Sequence, residues 1–121
     1  MIVAVYRRPE LTLEEFESYW RDTHGPLAAI YGRVLGMKRY VQSYGIDAPE
    51  IQAFARSRGW VEPPEALAEV WWESRDAMEA AFDTPEGREA SRILAEDEAK
   101  FCDMTRMSAF LSYENVVFSD F

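Results

Sequence analysis

The chain has 121 residues, 48% of them hydrophobic and 14% aromatic, and a formal net charge of −9. Domains commonly run to about 100–150 residues, so this length predicts one domain over residues 1–121, with enough apolar material for a packed core. With 13 Lys and Arg against 22 Asp and Glu, few cations are free to neutralise phosphates, which argues against nucleic acid or an anionic membrane surface as a partner.

Residues 2–8 are apolar on both parities and predict a strand covered on both faces, stopped by Pro9. Their apolar run is short and precedes a basic pair, the reverse of a secretory signal. No segment approaches the ~20 apolar residues of a membrane span, and the chain reads as cytoplasmic. Thr12 is placed to cap a helix, with Glu15 three residues on as the second half of a capping box. Leu13, Phe16, Trp20 and Leu27 then form one apolar stripe. Gly25-Pro26 is expected to break this helix, with Pro26 opening a second short one through Leu27, Ile30 and Tyr31.

Residues 36–45 predict a second strand, entered and left at glycines. Residues 46–62 read as a loop or insertion, with room for a short helix after Pro49 that carries Ile51 and Phe54. Residues 66–73 predict a third strand. Ser74 caps a helix with Met78, Ala81 and Phe82 inward, and Thr84-Pro85 opens another that runs to about Phe101 through Ile93 and Leu94. Residues 105–117 predict a long final strand. The order β-α-β-β-α-β is the split βαβ arrangement: a ferredoxin-like α+β fold with a four-stranded antiparallel sheet and helices on one face. Because the outer strands are apolar on both parities, the bare face needs cover, and a second copy of the same sheet supplies it as a homodimer.

His24 is the only histidine, and it shares the inward stripe with Phe16 and Trp20. Imidazole is the side chain that gives and takes a proton near neutral pH without special tuning. The competing reading is a structural histidine bonded to a nearby carbonyl. Tyr6, Trp20, Tyr40, Tyr44, Trp72 and Phe82 are candidates to line an aromatic pocket for a planar small molecule, against the plainer reading of core packing. The tyrosines are the more informative, since a buried phenol needs a partner. One His and one Cys form no metal-ligand cluster, the acidic runs at 14–15 and 96–98 read as solvated helix faces, and Cys102 reads as buried and inert.

The stretch Phe16-x-x-Tyr19-Trp20-x-x-x-His24-x-Pro26-Leu27, followed by Gly36-Met37-x-x-Tyr40, resembles the start of EthD-type domains. The stretch from Ala68 to Phe82 (AEVWWESRDAMEAAF), then Asp97-Glu98-x-x-Phe101-x-Asp103 and Tyr113-Glu114, resembles their second half in the same order. Only residues 46–62 fall outside the likeness. The resemblance implies a dimeric α+β barrel, in a family whose relatives include dehydratases of polyketides. Its fold also hosts lactone isomerases, cofactor-free monooxygenases and haem-degrading enzymes. The family's characteristic histidine falls on His24. The expectation is a cofactor-independent lyase or isomerase with a small aromatic, polyketide or lactone-type substrate, His24 as general acid/base and a tyrosine, Tyr40 or Tyr6, as the oxyanion donor. A cofactor-free monooxygenase and a binding module for an apolar metabolite or haem are the alternatives. The leading reading needs no metal and no cofactor.

Overall fold

The computed structural model describes all 121 residues, Met1–Phe121. Four strands, β1 (Ile2–Val5), β2 (Arg39–Tyr44), β3 (Ala66–Trp71) and β4 (Ser108–Phe110), pair antiparallel in the order β2-β3-β1-β4. The helices are α1 (Leu13–Tyr19), α2 (Gly25–Val34), α3 (Pro49–Ser57), α4 (Arg75–Phe82) and α5 (Pro85–Phe101), with a π-helical turn at Trp20–His24 joining α1 to α2. This is the expected ferredoxin-like α+β arrangement. No helix is long and apolar enough to cross a membrane.

Alternation along β3 shows how the sheet is sided. Ala66, Ala68 and Val70 are buried towards the helices, while Leu67, Glu69 and Trp71 are half-buried on the face that no helix covers. The helix side holds two clusters. Val5, Phe16, Trp20, Ala68 and Phe101 belong to the larger, and Ala28, Leu35, Ala90 and Leu94 make the smaller, where α2 packs on α5.

The caps follow the sequence closely. Thr12 Oγ1 accepts from the Glu15 amide at 3.1 Å, and Glu15 Oε1 accepts in return from the Thr12 amide at 3.0 Å. Ser74 and Thr84 cap α4 and α5 through the amides of Ala77 and Gly87. Gly87 also allows the tight turn between those helices, because a Cβ there would stand 1.9 Å from the Ala81 carbonyl oxygen.

Three elements differ from expectation. Gly25-Pro26 does not end the helix: Gly25 is right-handed (φ −54°), and its amide bonds to the carbonyl of Trp20, five residues back. Proline has no amide to give and crowds the preceding turn, and the wider π turn lets the chain pass it without a break. Ile30, on the helix that follows, points to solvent. The final strand is only three residues long, because its register sets Phe110 against Ile2 at the start of β1 and leaves residues beyond Leu111 no neighbouring strand. The first strand likewise closes at Val5, after which Arg7 makes only an isolated bridge to Cys102. Within residues 46–62, α3 forms where Pro49, Ile51 and Phe54 indicated, and it buries no residue.

Candidate active site

The π turn decides where the imidazole goes. Phe16, Trp20 and His24 all face the sheet, and His24 is only 4% exposed. The Trp20 carbonyl takes a second hydrogen bond at 2.9 Å from Gln42 Nε2 on β2, which fixes the widened turn to the sheet. The Trp20 indole donates to the hydroxyl oxygen of Tyr40 at 3.2 Å, and Tyr44 donates to Gln42 Oε1 at 2.6 Å.

Asp97 of α5 meets His24 from the other side. His24 Nδ1 lies 2.8 Å from Asp97 Oδ2, and Tyr19 donates its hydroxyl proton to Oδ1 at 2.7 Å. The exposed Lys100 ammonium stands 3.7 Å from Oδ1. Burial raises the Asp97 pKa, but the bonds from Tyr19 and His24 outweigh it and hold the carboxyl below its ordinary value, so it is ionised. Burial likewise lowers the His24 pKa, against the pull of Asp97. A neutral imidazole beside a carboxylate keeps its proton on Nδ1, where it donates, and leaves Nε2 as a free base. The same carboxylate, with burial as the larger cause, pushes Tyr19 up to about 12.

Beside this pair is a cavity of about 370 Å³ between the sheet and the helices. Trp20, His24, Tyr40, Phe101 and Glu98 contribute to its wall, together with Met1, Met37, Met104 and Met107, four of the chain's five methionines. Burial raises the pKa of Tyr40, so its phenol stays protonated. Its oxygen accepts from Trp20, which leaves its O–H free to donate. Cys102 also lines the cavity, a buried thiol pushed up to about 12 by burial and by Glu98 and Asp97, and therefore inert as a nucleophile. No group of three or more His, Cys, Asp or Glu side chains is placed to hold a metal ion.

Of the aromatic candidates, the structure brings Trp20 and Tyr40 to this cavity with His24 and leaves four outside it. Tyr44 packs on Trp20 at 4.9 Å, away from the cavity. Tyr6 follows Val5 on the opposite parity and lies under the Arg106 guanidinium at 3.9 Å. Trp72 donates to the Leu35 carbonyl at 2.8 Å and stands 6.2 Å from Phe82, closing the end of α2. Trp72 also borders a second hollow of about 560 Å³ beyond β3, which has no histidine.

Asp97 and Glu98 correct the reading of residues 96–98 as a solvated face: Asp97 is 5% exposed, and Glu98 is half-buried in the cavity wall. Their spacing carried the signal. Ala90, Leu94, Asp97 and Phe101 recur at four, three and four residues, which puts Asp97 on the apolar stripe of α5.

An EthD family protein from Bacillus halodurans has a crystal structure similar to this fold, at 15% identity and a TM-score of 0.52, covering 91% of this chain and 96% of that one. No curated protein matches the sequence. The family model described as the EthD domain matches residues 8–105, a span that runs from the end of β1 to the approach to β4 and takes in His24, Tyr40 and Asp97. The chain belongs to the EthD domain family.

Proposed function

We propose that this EthD domain is a cofactor-independent lyase or isomerase of the dehydratase type, acting on a small aromatic, polyketide or lactone-like carbonyl compound. One observation carries the reading. His24, neutral and oriented by an ionised Asp97, borders an apolar cavity with its Nε2 unbonded. In that position Nε2 takes a proton from the carbon next to a substrate carbonyl. Tyr40, with its hydroxyl proton free, donates to the carbonyl oxygen as negative charge develops there. Asp97 holds the ring in the tautomer the reaction needs and stabilises the imidazolium that forms.

The active unit in this reading is a homodimer joined through the helix-free face. The half-buried Leu67 and Trp71 and the exposed Phe110 support it, since all three lie on that face.

Replacing His24 with Gln should lower kcat on the true substrate on the order of 100-fold or more while leaving the fold intact. A loss of less than about tenfold overturns the assignment. Oxygen uptake during turnover would turn the reading towards a monooxygenase.

A further inference from the structure

The His24 cavity has a second ionisable wall group that the mechanism above does not use. Glu98 lies one residue beyond Asp97 on α5, yet the two carboxylates face different surroundings. Asp97 is bonded on both oxygens by Tyr19 and His24. Glu98 borders the open cavity, and burial together with the charge of Asp97 pushes its carboxyl up from the ordinary value; no hydrogen bond counters them. The groups around it add no neutralising charge: Tyr40 from β2 and Cys102 at the end of α5 both stay protonated, and His24 from the π turn is neutral. No Lys or Arg lines the cavity, and the ammonium group of Met1 is already bonded to the Val70 carbonyl at 2.8 Å. One cavity thus pairs an imidazole whose hold on a proton is weakened with a carboxyl whose hold on one is strengthened, an arrangement that assigns proton acceptor and donor.

We propose that Glu98 is the second proton-transferring residue of this site, the acid that protonates the oxygen leaving the β-carbon of a neutral β-hydroxy carbonyl compound. The proposal rests on the elimination reading above and adds both the acid and the charge of the substrate. In the step, His24 Nε2 takes the proton from the α-carbon. The C–H electron pair becomes the α–β double bond as the β C–O bond breaks. The departing oxygen takes the proton of Glu98 and leaves as water. An unsaturated carbonyl compound, an imidazolium and a Glu98 carboxylate remain, and the water relays the proton from His24 back to Glu98. No Lys or Arg side chain lines the cavity to pair with a carboxylate substrate, and a neutral one needs none.

Two probes separate the acid from the base. The aldol of acetone and naphthaldehyde has a hydroxide leaving group and needs an acid. The para-nitrophenyl ether of β-hydroxyethyl methyl ketone loses a stable phenolate and needs only the base. Full-length wild type, Glu98→Gln and His24→Gln are compared with both, with melting temperatures within about 3 °C of wild type as the check on folding. Glu98→Gln should slow dehydration of the aldol on the order of 100-fold, a loss at least tenfold larger than its effect on the ether. His24→Gln should slow both. If His24→Gln slows both but Glu98→Gln affects the two equally, or affects neither, Glu98 is not the acid and the elimination reading stands without it. If wild type exceeds buffer with neither compound, or His24→Gln has no effect on either, the elimination reading falls and the proposal with it.

Discussion

On the helix side of the sheet, Val5 and Ala68 pack with Trp20 and Phe101, and Asp97 is bonded by both Tyr19 and His24. On the other side, Ile2, Leu67 and Trp71 are half-buried, Phe110 is 60% exposed, and the Arg39 guanidinium lies over the Trp71 ring at 4.8 Å. The two faces share the same strands, so the contrast comes from what packs on them. The helix side is finished within one chain and contains the candidate chemistry. The bare side keeps apolar surface of the kind that association covers. Substitutions on the first should therefore register in unfolding, and substitutions on the second in assembly.

The largest effect is expected at Phe16, wholly buried between Trp20 and Phe101. Phe16→Ala should lower the unfolding free energy by about 4 kcal/mol in urea titrations. A loss below about 1 kcal/mol would mean that this face is less closed than its contacts indicate. Next is Asp97→Ala, which strands the Tyr19 hydroxyl and His24 Nδ1 in a buried place and should cost about 3 kcal/mol. A smaller, diagnostic effect is in pH. Folding lowers the His24 pKa from its ordinary 6.5, so the folded chain takes up this proton later than the unfolded chain. That contribution is complete above pH 6.5 and is lost as the pH falls through the lowered value, and a melting series on His24→Gln should lack this slope. The smallest effect on unfolding is expected on the bare face. Phe110→Asp should change monomer stability by no more than about 0.5 kcal/mol yet abolish the sedimentation shift of a dimer. If the wild type sediments as a monomer at micromolar concentration, the dimer is removed from the functional reading.

Much of the architecture was legible because local signals agreed with one another. Thr12, Ser74 and Thr84 marked three helix starts, and strand order followed from elements of alternating type. What escaped depended on partners distant in the chain. The short last strand is set by its register against Ile2, and no residue within 105–117 encodes that limit. Asp97 looked solvated because its neighbours are charged, whereas its partners lie 73 and 78 residues away. The π turn escaped because Gly25-Pro26 is also a common helix stop, and only the packing of Trp20 and the hold of Gln42 select the continuous path. His24 stood out as an ionisable residue on an apolar helix stripe and Tyr40 as a phenol that needs a partner when buried, and both line the cavity. Tyr6, Tyr44, Trp72 and Phe82 show how little aromaticity alone says about which cavity a ring borders.

The methionines in the cavity wall bear on how selective the site can be. Met1, Met37, Met104 and Met107 are unbranched, with several soft torsions and a polarisable sulfur. A wall of this kind adjusts to an outline and does not impose one. Discrimination by shape would then be modest, and a ligand would be chosen by where its hydrogen-bonding atoms fall against His24, Tyr40 and Glu98. The same thioethers make the cavity vulnerable to peroxide, since conversion to sulfoxides would turn a greasy lining into a polar one without touching a single proton-transferring group.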